Sequence, residues 1–233
     1  MPNRIHPTAV LGPGVELGTG NVVGPFAVVL GPCRLGDDNW IAPHAVLGTP
    51  PEIRGHDHGA AWDGDLVGRG VEIGDRTTVR EQVTVHSGWE QPTRIGSDCL
   101  LMTKGHVGHD ADLGDGVTTS SGALVGGHVV VGAHANLGLG TIVHQRRVIG
   151  PGAMVGMGSV VTRDVPPYAK AYGSPARVQG VNSVGMARQG MTDADIAALA
   201  ELYGGGRELV PNWPPAAALA PALAWWRRHA TPG

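Results

Sequence analysis

An aliphatic residue returns every six positions along most of this chain. Ile5, Leu11, Leu17, Val23, Val29, Leu35, Ile41 and Leu47 form the first column, each usually followed by Gly and two turn-tolerant residues. After a break the column resumes at Ile73, Val79 and Val85, passes a short insert at Gln91-Pro92-Thr93-Arg94, and restarts at Ile95. Leu101, Val107, Leu113, Val125, Val131, Leu137, Val143, Ile149 and Val155 continue it, with Thr119 the one break there. A six-residue unit is too short for a helix pair or a hairpin, but it fits one short strand and one tight turn. Three such sides close a triangular coil of 18 residues. Aliphatic side chains then fill a thin prism, and glycine serves where backbones crowd or need positive φ. The pattern predicts an all-β fold, a left-handed parallel β-helix of hexapeptide repeats.

The repeat ends at Asp164-Val165-Pro166-Pro167. Beyond it, Thr192-Asp193-Ala194-Asp195 has the form of a helix N-cap with an acidic residue at N3, followed by Ile196, Leu199, Leu202 and Tyr203 on one face and a stop at Gly204. A second helix is expected from about Ala216 to His229. The chain therefore divides into a β-helix over 1–178, interrupted by a loop at 53–70, and a C-terminal helical region over 179–233. The loop is a candidate for overhanging a site.

Composition agrees. Glycine (38) and proline (18) would suggest disorder without a repeat, but hydrophobic residues reach 42% and charged residues only 16%. Aromatics at 4% suit a narrow interior. A net charge of -3 without a long basic run argues against nucleic acid as partner. Cys33 and Cys99 cannot build a disulfide framework and fit a reducing compartment. Neither an N-terminal apolar segment nor a stretch long enough to span a membrane is visible. The expected location is cytoplasmic.

With 18 residues per coil, His109, Gly127 and Gln145 stack in one column and Asp110, His128 and Arg146 in the next. A histidine, a main-chain N–H and an amide side chain then supply a base, an oxyanion donor and a polar clamp at one place. His106 and His144 lie nearby. His6, His44, His56, His58, His86, His134 and His229 read as ordinary solvated or satisfied side chains. A metal is the rival use of the histidine cluster. The absence of Cys there, with Gly127 and Gln145 in the column, favours the base, so no metal is expected.

The run from Gly105 to Gln145, containing His106-x-x-His109-Asp110 and Val143-His144-Gln145, and its continuation to Gly190, resemble the acyl-[acyl carrier protein]–UDP-N-acetylglucosamine O-acyltransferase family of lipid A biosynthesis. The resemblance covers roughly residues 5 to 200. It implies transfer of a (3-hydroxy)acyl group from an acyl-carrier-protein phosphopantetheine thioester, with no other cofactor, to the 3-hydroxyl of a UDP-amino sugar. His109 matches the general base, Asp110 its acidic support and Gly127 the oxyanion N–H. His106, His128, His144 and Gln145 match substrate contacts. Asn182 and Arg188 match nucleotide contacts, Arg54 stands about where a lysine is expected, and Met157 falls where acyl length is set. A homotrimer with clefts between prisms is also implied.

Departures from the family pattern are a missing coil between about 29 and 52, a longer loop at 53–70, Gln189 in place of a basic residue, and a short helical region. They touch acceptor binding more than the base. Other readings are an acetyl-CoA-dependent transferase on another nucleotide-linked amino sugar, a metal hydratase of the γ-carbonic-anhydrase type, and a non-enzymatic scaffold.

Overall fold

The aliphatic columns point inward. From Val23 onward their members are all but sealed from solvent, and Thr119 keeps the inward place between Leu101 and Leu137. The computed structural model describes residues 1–55, 58–65, 68–204 and 217–230. Short strands stack into three parallel sheets, of 10, 8 and 7 strands, which form the sides of a left-handed prism. The first side begins at Arg4–Ile5, the second at Val10–Leu11 and the third at Val15–Leu17. Registers such as Val22↔Trp40 and Leu124↔Ile142 set the 18-residue coil. A single core of Val, Leu, Ile and Ala runs down the axis.

Side chains also hold one corner together. Asn21 Nδ2 donates to Gly36 O (2.9 Å), Asn39 N to Asn21 Oδ1 (2.9 Å), Thr77 N to Asn39 Oδ1 (2.8 Å) and Cys99 N to Thr77 Oγ1 (3.1 Å). Each coil thus satisfies main-chain groups of its neighbour that no strand reaches. The result is a stiff rod on which a site is fixed.

Two excursions leave the prism. The strand Val46–Thr49 ends and Val71–Ile73 resumes against Cys33–Leu35, so the first excursion begins at 50, three residues before the loop read from the sequence. The second lies at 87–92. Thr93 and Arg94, read as part of an insert, instead pair with Val71 and Glu72 in the third sheet, because Thr-Arg-Ile continues the in–out alternation. His56 lies outside the described residues.

The first sheet closes with an antiparallel hairpin, Ala169–Gly173 with Ala176–Val181. β-structure therefore runs past 178, and helix begins at α1 (Ser183–Arg188). In α2 (Asp193–Gly204), Asp195 N donates to Thr192 Oγ1 (3.2 Å) while Thr192 N and Oγ1 donate back to Asp195 Oδ2 (2.9 and 2.7 Å), a reciprocal cap. Leu199 and Leu202 join Tyr168 and Met186 in a second apolar cluster. The final helix, α3 (Ala220–His229), follows a 3-10 turn at Ala217–Leu219; Ala216, where the sequence suggested a start, lies outside the described residues. Among the described residues no helix is long and apolar enough to cross a membrane.

Candidate active site

The corner after the second sheet carries the histidines. The registers His106↔Leu124↔Ile142 stack His109, Gly127 and Gln145 in one column and Asp110, His128 and Arg146 in the next. Adjacent residues of a strand point oppositely, but Asp110 has φ 59°, a left-handed turn conformation. That turn brings the two side chains together, and His109 Nδ1 donates to Asp110 Oδ2 at 2.6 Å.

Asp110 is fully buried and its carboxylate is saturated. Oδ2 accepts Trp89 N (3.0 Å), and Oδ1 accepts Glu90 N (2.7 Å) and Gln91 N (2.8 Å). Burial pushes this carboxyl up, but the N–H groups of residues 89–91 and the His109 ring outweigh it and hold it below the ordinary range. An ionised Asp110 fixes the proton on His109 Nδ1, so Nε2 presents its lone pair outward.

Gly127 faces that lone pair. A Cβ at 127 would lie 2.7 Å from His109 Nε2, and the Gly127 N–H has no partner among the described residues. A Cβ at 108 would lie 2.8 Å from Gly127 N, so Gly108 keeps that amide open. The His109 ring and the open Gly127 amide therefore stand side by side on adjacent coils. Gly127→Ala should displace the His109 ring and lower kcat about 10²-fold or more with an unchanged circular dichroism spectrum. Steady-state kinetics checks this.

The four residues expected to contact substrate lie on this corner or on the second sheet that precedes it. His128 meets the His109 ring edge-on, centroids 5.0 Å apart, with Nε2 3.8 Å from Asp110 Oδ2. His144 and Gln145 are exposed one coil below Gly127, with His144 Nδ1 on Gln145 O at 3.0 Å. His106 points outward from the second sheet, its Nε2 3.5 Å from Glu52 Oε2 and its ring 5.2 Å from that of His86. His86 is satisfied at Nδ1 by Pro50 O (2.9 Å), yet its Nε2 opens onto this group. Glu52, Gly108 and residues 89–91 carry no mark of a site in the sequence, and His86, expected to be an ordinary satisfied side chain, also stands beside Glu52 and His106. Thr84-Val85-His86, with an inward valine between two outward side chains, was the available signal for His86.

Burial, with the neighbouring His86, lowers the His106 pKa from 6.5; burial, with Arg146 and His109, lowers that of His128 against the pull of Asp110. A folded pKa below the unfolded value means the unfolded chain binds more protons in the window between them. Stability from these two residues is complete above 6.5 and is lost as pH falls below it. Calorimetric Tm should fall between pH 7 and 5, and less steeply in His106→Gln/His128→Gln.

Among the described residues, two groups bring three metal-ligating donors within 4.8 Å: Glu52, His86 and His106, and His109, Asp110 and His128. Their chemistry suits zinc. In the second group the 2.6 Å bond between His109 and Asp110 already occupies both donors.

Four residues singled out from the sequence make no hydrogen bond or ion pair with His109, Asp110 or Gly127 among the described residues. The Asn182 side chain caps α1, Oδ1 accepting Gly185 N (3.1 Å) and Nδ2 donating to Gly152 O (2.9 Å), so its amide is occupied. Arg188 is exposed in the last turn of α1, and Arg54 is exposed in the turn at 54–55. Met157, 73% exposed, stands on the corner after the first sheet, not on that of His109.

The left-handed prism of hexapeptide coils, with the His109 imidazole beside the unpartnered Gly127 amide, has the fold of the β-helical acyltransferases. A family profile described as Udp N-acetylglucosamine O-acyltransferase, Domain 2, matches residues 164–205. Over 223 residues, 86% of this chain and 82% of the relative, the chain is 35% identical to an acyl-[acyl-carrier-protein]–UDP-N-acetylglucosamine O-acyltransferase of Paraburkholderia phytofirmans. LpxA from Acinetobacter baumannii superposes with a TM-score of 0.70 at 28% identity, covering 98% of this chain and 90% of that one. A UDP-N-acetylglucosamine acyltransferase from Campylobacter jejuni shares the fold, with a TM-score of 0.75 at 22% identity over 99% and 97% of the two chains. The chain belongs to the acyl-[acyl-carrier-protein]–UDP-N-acetylglucosamine O-acyltransferase family.

Proposed function

We propose that this enzyme moves a (3-hydroxy)acyl group from an acyl-carrier-protein thioester to the 3-hydroxyl of UDP-N-acetylglucosamine or a close UDP-amino sugar. The juxtaposition of His109 Nε2 with the open amide of Gly127 carries the reading. Nε2 takes the hydroxyl proton as the sugar oxygen attacks the thioester carbonyl. The oxyanion of the tetrahedral intermediate accepts from Gly127 N–H. Collapse breaks the carbon–sulfur bond, and the leaving thiolate takes the proton back from His109. Asp110 stabilises the imidazolium in between and is not itself protonated. No metal and no cofactor beyond the donor's phosphopantetheine takes part in these steps.

His106, His128, His144 and Gln145 would contact the substrates, with Arg188 and Arg54 toward the nucleotide and Asn182 serving it by holding the start of α1, the helix that carries Arg188. Met157 would limit the acyl chain. Met157 and His109 lie 48 residues apart, which is not a multiple of the 18-residue coil, so they occupy different corners of one prism. Both line one cleft only if a second copy supplies one of them, which supports a homotrimer. A cytoplasmic location follows from the two substrates.

The test is a screen crossing acyl-carrier-protein and CoA thioesters of several lengths with UDP and dTDP sugars. The reading expects an ester on UDP-N-acetylglucosamine from the carrier-protein donor; amide products or CoA dependence would replace it with an acetyltransferase. Met157→Gly should shift the preferred donor to longer chains, and unchanged selectivity refutes that role. The Glu52–His86–His106 group favours one second reading, a metal hydratase, and stoichiometric zinc with carbon dioxide hydration would establish it.

A further inference from the structure

The His109 corner turns basic as it continues toward the C-terminus. Its two columns run His109, Gly127, Gln145, Arg163 and Asp110, His128, Arg146, Asp164, with Arg147 next to Arg146. Arg146, Arg147 and Arg163 thus stand with Asp164 on the last two coils of this corner, while Asp110, two coils away from Arg146, is held by His109 and the N–H groups of residues 89–91. Asp164 is taken: Oδ1 accepts Val148 N at 3.0 Å and meets Arg147 at 3.3 Å. Arg147 Nε stays buried without a partner. Arg146 and Arg163 are exposed, and neither has an ion pair among the described residues.

Surface arginines normally find carboxylates or solvent singly, whereas here two without an ion pair rise from adjacent coils of one corner, their backbone positions set by the coil. At about 4.8 Å per coil, Arg146 stands about 10 Å and Arg163 about 14 Å along the axis from His109. Guanidinium forks match the oxygens of a phosphoryl group. We propose that Arg146 and Arg163 form an anion subsite that holds a phosphoryl group of a substrate whose reacting end lies at His109. The inference rests on the acyl-transfer reading for which substrate brings it: the acceptor's diphosphate or the phosphodiester of the donor's pantetheine arm. Either would be anchored while the reacting atoms sit between His109 and Gly127.

Titration calorimetry of UDP and of 4′-phosphopantetheine against wild type and Arg146→Ala/Arg163→Ala tests the subsite without requiring turnover. The double variant should bind one of these ligands at least about tenfold more weakly, from lost charge-assisted hydrogen bonds, and Arg146→Lys/Arg163→Lys should recover part of the affinity. Loss for UDP assigns the subsite to the acceptor, and loss for phosphopantetheine assigns it to the donor. Unchanged affinity for both, or no binding of either by wild type, overturns the proposal. Should wild type lack transfer to UDP-N-acetylglucosamine while the affinity loss holds, the subsite stands and the acceptor assignment falls. Both side chains are exposed, so the variants should fold; a matching Tm verifies it.

Discussion

His109→Ala should lower kcat about 10²- to 10⁴-fold while Tm stays near that of wild type. The ring sits on a turn and is anchored by a single bond to Asp110, so its loss opens no aliphatic core. What disappears is the lone pair that must take a proton as the sugar oxygen attacks. A free sugar hydroxyl is too weak a nucleophile to replace that step. Substrate contacts from the flanking residues remain, so KM should change far less than kcat. A loss below tenfold, measured with saturating carrier-protein thioester and UDP-N-acetylglucosamine, would mean that another group is the base.

Asp110→Asn should cost as much in rate, about 10²- to 10⁴-fold, and should also destabilise the fold by about 1–3 kcal/mol. An asparagine amide has one acceptor oxygen and one donor nitrogen. Oδ2 of Asp110 receives His109 Nδ1–H and Trp89 N–H, and Oδ1 receives those of Glu90 and Gln91. In either orientation the amide NH₂ faces buried donors. The imidazole then loses its fixed tautomer, and the imidazolium loses its counter-charge. The depressed Asp110 carboxyl gives stability that is complete above its unfolded pKa and is lost as pH falls through the folded value. The denaturation gap between variant and wild type should therefore shrink in acid. A gap that widens as pH falls would contradict the ionised, hydrogen-bonded carboxylate.

The prism was legible because burial leaves a mark at fixed intervals: Leu101, Val107 and Leu113 must be aliphatic wherever they sit on the axis. The columns of the site followed from the same interval. What stayed hidden depends on bonds across the closed coil. Asn39 and Thr77 look like loop polars until the coil brings main-chain groups to them. The grip of residues 89–91 on Asp110 reaches back 19 to 21 positions through an excursion with no period. The in–out rule set Asp110 against His109, and only the left-handed turn reconciles them. The sequence does not reveal which side chain caps a six-residue helix, so the capping role of Asn182 emerges only from the structure. The separate corner of Met157, by contrast, was already implied by counting coils.

A crystal structure with the UDP-3-O-acyl sugar bound would test the geometry most directly. The account predicts the ester's sugar oxygen within about 3 Å of His109 Nε2 and its carbonyl oxygen about 3 Å from Gly127 N. Product seated away from that corner, with its carbonyl turned from Gly127, would contradict it.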